Sequence, residues 1–218
     1  MLNYYLFIAF SYSIAFAAIL GLVRFKRIAS EYRPFVYLCV IALLNEGVST
    51  VCVEIFRSNV INANIYILIE LYFLLWLFRN WGTIQRSNRF YLYFGVVLTA
   101  IWIFDNFLIH PFEQFNSIYR ISYAIALVFL SIDHINFMIV TENRNILRNA
   151  SFLIATGILL FYCLKGVIEV FYLFQIQLSD SFYNALIVML AIVNLVSNLI
   201  YAIAILWIPQ KQRFSLPY

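Results

Sequence analysis

Seven apolar stretches, each about as long as a bilayer is thick, constrain this chain more than any other feature. They cover about Leu2–Val23, Pro34–Phe56, Asn62–Asn80, Phe90–His110, Ile118–Thr141, Ser151–Phe174 and Phe182–Ile208. Crossing the hydrocarbon as a helix takes roughly 20 apolar residues at a rise of about 1.5 Å each. The runs are continuous rather than alternating, so they read as helices and not as barrel strands. Composition agrees, with 65% hydrophobic and 11% charged residues, where a soluble domain holds roughly 45–50% and 25%. That balance excludes a soluble surface and a disordered chain alike. The expected fold is all-α, a polytopic membrane bundle of about seven transmembrane helices forming a single domain over residues 1–218.

The connections are short and polar, with Arg24–Arg33, Trp81–Arg89 and Glu142–Asn149 reading as turns between spans. Their basic residues set an orientation. Arg24, Lys26, Arg27, Arg33, Arg79, Arg86, Arg89, Arg144, Arg148, Lys211 and Arg213 fall on one side, against Arg57 and Arg120 on the other. Eleven against two makes the first side cytoplasmic by the positive-inside rule, with the N-terminus outside and the C-terminus inside. The formal charge of +4 therefore faces lipid headgroups rather than nucleic acid. Met1–Leu6 lacks the positive start of a cleavable signal peptide, so the first helix is expected to stay as an anchor. Short loops, abundant Phe, Tyr, Ile and Asn, and no Asn-x-Ser/Thr in the outer loops point to a bacterial inner (plasma) membrane.

Cys39, Cys52 and Cys163 all fall inside helices, outside any disulfide framework or metal-ligand spacing, and read as small apolar residues. No cofactor is expected, and the identity of any metal stays open. Trp76, Trp81, Trp102 and Trp207, with Tyr4, Tyr5, Tyr91 and Tyr93, fit interfacial aromatic belts.

The informative residues are charges inside the spans, where one at the bilayer centre costs roughly 2.5–3.5 kcal/mol on translocon scales. Glu46 and Glu54 belong to the second helix, Glu70 to the third, Asp105 to the fourth, Asp133 and His134 to the fifth, and Lys165 and Glu169 to the sixth. Glu46, Glu70 and Lys165 lie near mid-depth with Asn194, while Glu54, Asp105 and Glu169 lie in the outermost turns. This pattern predicts a ligand- or ion-binding pocket of Glu46, Glu70, Lys165 and Asn194 beneath an acidic entrance of Glu54, Asp105 and Glu169. Glu46, Thr50 and Glu54 form an i, i+4, i+8 stripe, and Asn194 and Asn198 an i, i+4 pair. Lys165 and Glu169, also i, i+4, are placed to pair, which would make them a packing device. One lysine cannot neutralise both Glu46 and Glu70, so a proton or a cation is implied. His134 reads as a hydrogen-bonded interior or headgroup residue. His110, at the far end of the fourth helix, cannot join it in a bis-His site.

Several classes fall away. A retinal protein needs a lysine in its seventh helix, and Phe182–Ile208 has none. Two distant histidines cannot build a zinc hydrolase site. No Gly-rich phosphate loop and no Ser-His-Asp or Cys-His arrangement is legible. A shift of 119 residues lays Glu46-Gly47-Val48 on Lys165-Gly166-Val167, too short a match to establish an internal repeat. The leading expectation is a non-enzymatic transporter or sensor for a small cationic or polar ligand. One alternative is an accessory subunit that docks a membrane-protein partner or a second copy of itself. Another is a lipid-modifying enzyme using Glu46, Glu70 and Asp105 with a divalent ion.

Overall fold

The computed structural model describes residues 8–82, 88–109, 112, 114, 115, 117–141, 145–174 and 179–210. Among the described residues, seven longer helices follow one another: α1 Ile14–Arg24, α2 Arg33–Phe56, α3 Val60–Trp81, α4 Asn88–Phe104, α5 Ser117–Thr141, α6 Ala150–Leu173 and α7 Asp180–Trp207. The last six, with the π-turn Asp105–Ile109 counted as the end of α4, are long and apolar enough to cross a membrane. Their ends fall within two residues of those expected from the apolar runs. The first span is the exception. Its described part is the shorter apolar helix Ile8–Arg24, interrupted at Tyr12 and Ser13, where the Ser13 hydroxyl turns back onto the Phe10 carbonyl. His110, Tyr4, Tyr5, Arg86, Arg144, Lys211 and Arg213 lie outside the described residues.

The faces of these helices explain why they belong in lipid. Val23, Phe56, Leu108 and Val140 stand mostly exposed, as do many other large apolar side chains around the bundle. In water such a surface would be one continuous hydrophobic patch; in a bilayer it is the solvent-facing side. Several hydroxyls within the spans are satisfied locally: Thr50, Thr99, Ser122, Thr141 and Thr156 each donate to the carbonyl one turn earlier. The chain is thus an integral membrane protein.

Successive helices pack as neighbours, and α1 also packs on α7, so the bundle closes on itself. Small residues permit close approach. A β-carbon on Gly21 would sit 2.8 Å from Val36, and one on Gly157 would run into the Tyr201 ring. This is how membrane helices gain packing without a hydrophobic drive between them.

The end carrying Arg24, Arg33, Arg79 and Arg148, called the basic end below, is laced together. Arg24 donates to the Ile205 carbonyl at 2.7 Å, and Ile28 bridges Gln210 beyond α7. Trp81 stacks on His134 with ring centroids 4.6 Å apart. His134 is buried there, and its Nε2 has no hydrogen-bond partner among the described residues, so the expected hydrogen-bonded histidine is instead an aromatic packing residue at that atom. Trp81 therefore faces inward rather than joining an interfacial belt. Trp102 does likewise, donating its indole N–H to the Asn64 carbonyl at 2.9 Å.

At the opposite end, Asp105 opens the π-turn Asp105–Ile109 and is fully buried. Its carboxylate accepts from the Tyr119 backbone N–H at 2.7 Å. It thus satisfies one of the orphan donors in the first turn of α5, where the helix dipole also favours a negative charge. Buried Asn64 anchors the nearby connection by donating to the carbonyls of Phe112 and Gln114 at 3.2 and 2.9 Å.

Candidate functional site

A cavity of about 320 Å³ lies inside the ring, walled by α1, α2, α3, α6 and α7, with Arg120 of α5 and Phe115 at its side. Its lining begins at Asn59 and Phe115, away from the basic end, and descends to Phe35 and Tyr201. There the two rings meet edge to face, with centroids 5.2 Å apart and planes at 77°. The missing side chain at Gly157 leaves the space that the Tyr201 ring occupies.

Glu46 from α2, Glu70 from α3, Lys165 from α6 and Asn194 from α7 all line this cavity. The convergence accords with depth: each sits well inside its helix, and each turns towards the inside of the closed ring. Lys165 interacts electrostatically with Glu70, Arg120, Glu169 and Glu46, yet forms no ion pair among the described residues. Its ammonium instead lies over the Phe161 and Tyr162 rings, 5.3 and 5.4 Å from their centroids. The Glu70 carboxylate accepts from the Tyr66 hydroxyl at 3.3 Å. The Glu46 carboxylate accepts no hydrogen bond among the described residues. Tyr162 is tied in turn to Tyr123, their hydroxyls 3.2 Å apart.

The amides around the cavity do different work. Asn62 donates to Asn45 at 2.9 Å and Asn59 to Ser49 at 2.6 Å, stitching α2 to α3. Asn198 donates to Ser13 at 2.9 Å and Asn194 to Ser11 at 3.4 Å, stitching α7 to α1. Asn194 also accepts from Asn198 at 3.4 Å. Its place in the wall is thus that of an interhelical link, with its donor and acceptor both engaged. The charged side chains are what the cavity leaves open.

The expected acidic entrance does not assemble. Glu54 is exposed and lines no part of the cavity. The reason is helical drift: at 100° per residue, i+4 is rotated by about 40° and i+8 by about 80° from Glu46. Thr50 stays near the seam, its hydroxyl 3.1 Å from that of Tyr12, but Glu54 has turned away. Asp105 is taken up by the α5 terminus, as described above. Glu169 pairs with Arg120 at 3.5 Å rather than with Lys165. The (i, i+4) pairing expected on α6 is thereby overturned, because a neighbouring helix offers Glu169 a better-placed cation.

Arg120 itself is the residue sequence reasoning misplaced. Counted with the loop at the end opposite the basic one, it is 7% exposed, inside the bundle. It donates to the Asn64 side chain at 3.1 Å and lies 4.8 Å from the Phe115 ring centroid. A signal existed: Arg120 follows Ile118 and Tyr119 inside an apolar run, and intramembrane acids outnumbered lysine six to one. Tyr66, Phe161 and Tyr162 were also missed, since aromatic side chains are too common in such a chain to stand out. No group of three or more His, Cys, Asp or Glu gathers among the described residues.

Fold and site together define an integral membrane protein whose helix ring encloses a cavity lined by two carboxylates, an ammonium and a guanidinium. Compared with protein-family models, curated proteins and solved structures, the chain matches none.

Proposed function

We propose that this protein binds a small polar ligand bearing a positive charge in the central cavity, as a membrane transporter or sensor. The observation that carries this reading is the gathering of Glu46, Glu70 and Lys165 in one cavity of about 320 Å³. That volume lies at the small end of the roughly 300–1,000 Å³ typical of ligand pockets. With Arg120 and Glu169 paired to each other, the remaining lining charges are two acids against one lysine, so the site favours cations. Charged groups kept in a membrane interior at such cost mark a site by default. The cavity's lining reaches Asn59 and Phe115, at the end away from the basic loops. By the positive-inside rule that end faces outward, so the ligand enters from outside.

The test is a thermal-stabilisation screen of the protein in lipid nanodiscs against small alkylamines and amine-bearing polar solutes. Glu46→Gln or Glu70→Gln is expected to abolish the stabilisation while expression is unchanged. Amine-dependent stabilisation that persists in both variants refutes the assignment of the site. An absence of any response to positively charged solutes refutes the reading as a whole.

A further inference from the structure

A lysine is out of place in a site built for a simple cation. A ligand carrying only a positive charge is repelled by Lys165, and the repulsion grows where the dielectric is low. Nor is Lys165 paired with a carboxylate among the described residues. Its neighbour Glu169 is engaged by Arg120 at 3.5 Å, while Lys165 is held above Phe161 and Tyr162 with its ammonium bordering the cavity. Across the same cavity, Glu70 is steadied by Tyr66, and Glu46 accepts no hydrogen bond among the described residues. One cation and one anion, on α6 and α2, are thus both presented to a single small space without being spent on each other.

We infer that the ligand is a small zwitterion, with an ammonium and an oxyanion on one molecule: the ammonium is received by Glu46 and the oxyanion by Lys165. The inference rests on the functional reading above and sharpens it. Aromatic lining from Phe35, Phe115, Phe161 and Tyr201 leaves room for an apolar portion between or beside the charged groups. Two acids against one lysine leave a single negative charge when a neutral zwitterion is bound. Glu70 is the group that would take the accompanying proton or monovalent cation. Free amino acids and phosphoethanolamine-type lipid headgroups share the required chemistry, and the cavity's small volume suits either.

The experiment is a calorimetric comparison on the full chain in nanodiscs of phosphatidylglycerol, which carries no ammonium of its own. The probes are glycine, alanine, 4-aminobutyrate and phosphoethanolamine, with propylamine and propionate as single-charge controls. At least one zwitterion is expected to bind about tenfold or more tightly than propylamine, since each unpartnered charge in a desolvated site costs at least about that factor. Lys165→Met is expected to erase the zwitterion's advantage, weakening zwitterion binding while propylamine, freed of the repulsion, binds more tightly than to the parent. The wild-type ranking decides the matter even if that variant does not fold. Propylamine binding as tightly as every zwitterion overturns the inference and leaves the cation-site reading standing. Binding by none of the probes overturns both. Binding by phosphoethanolamine alone supports the inference and assigns the ligand to a lipid headgroup; binding by an amino acid supports it and assigns the ligand to free solutes.

Discussion

Breaking the Arg120–Glu169 pair should destabilise the bundle far more than deleting it whole. The two groups lie 3.5 Å apart, with side chains 8% and 12% exposed. At an effective dielectric of roughly 20, their gross attraction is about 5 kcal/mol. Desolvation offsets much of this while both partners are present, but removing one costs about 3–5 kcal/mol, because the other keeps its buried charge and loses this counter-charge. Glu169→Gln belongs at the lower end, because Arg120 retains Asn64 and the Phe115 ring. Arg120→Met belongs at the upper end, because it strands Glu169 and takes away the donor to the Asn64 side-chain Oδ1 at once. Arg120→Lys falls between: a point charge cannot reach Glu169 and Asn64 together as a planar fork does. The double variant Arg120→Met/Glu169→Leu should lie within about 2 kcal/mol of the parent, since no buried charge is left uncompensated. Reversible unfolding in mixed micelles of increasing SDS fraction measures all four. Single variants within about 0.5 kcal/mol of the parent, or a double variant whose loss equals the sum of the singles, would refute the reasoning.

Other consequences are equally open to measurement. Asp105→Ala leaves the Tyr119 amide without its charge-assisted bond, worth about 1.5–3 kcal/mol. Hydrogen exchange should speed up at the start of α5 but not in α6, and unaltered protection at Tyr119 would contradict the capping role. Gly157→Ala forces the Tyr201 ring aside and should cost about 1–3 kcal/mol. Pairing it with Tyr201→Leu should recover part of the loss, and a Gly157→Ala protein as stable as the parent would exclude the close contact. Orientation can be read in intact cells after replacing Cys39, Cys52 and Cys163 with alanine. A membrane-impermeant maleimide should label Ser58→Cys directly and Arg148→Cys only after permeabilisation; the reverse pattern would invert the proposed topology.

What the sequence disclosed, and what it concealed, divides along one physical line. Apolar runs reveal helices because each span satisfies its backbone internally and needs only length and hydropathy. Hence α2 to α7 were legible nearly to the residue. The gathering of Glu46, Glu70 and Lys165 was foreshadowed by depth, which the 1.5 Å rise converts directly from sequence position. Whether two helices turn particular faces to each other is a property of packing, and no one-dimensional pattern carries it. Glu169 had Lys165 one turn away on its own helix but took Arg120 from the next. Glu54 followed the stripe of Glu46 by count and left it by angle. Asp105 resembled an entrance acid until a π-turn delivered it to a neighbouring helix terminus. Asn64, the hub between Arg120, Trp102 and the segment before α5, carried no mark distinguishing it from the amides that merely line seams.

The contact between the first helix and the last has a bearing on how the molecule is made. A ribosome delivers the helices in order, so Ser11 and Ser13 enter the bilayer long before Asn194 and Asn198 exist to meet them. Until then the nascent chain is an open trough, with Lys165 lacking the wall that seals it from lipid. Closure comes only when α7 arrives and the segment beyond it meets Ile28. A chain that has reached only α6 therefore leaves polar side chains such as Lys165 open to lipid, whereas the ring closed by α7 turns them inward.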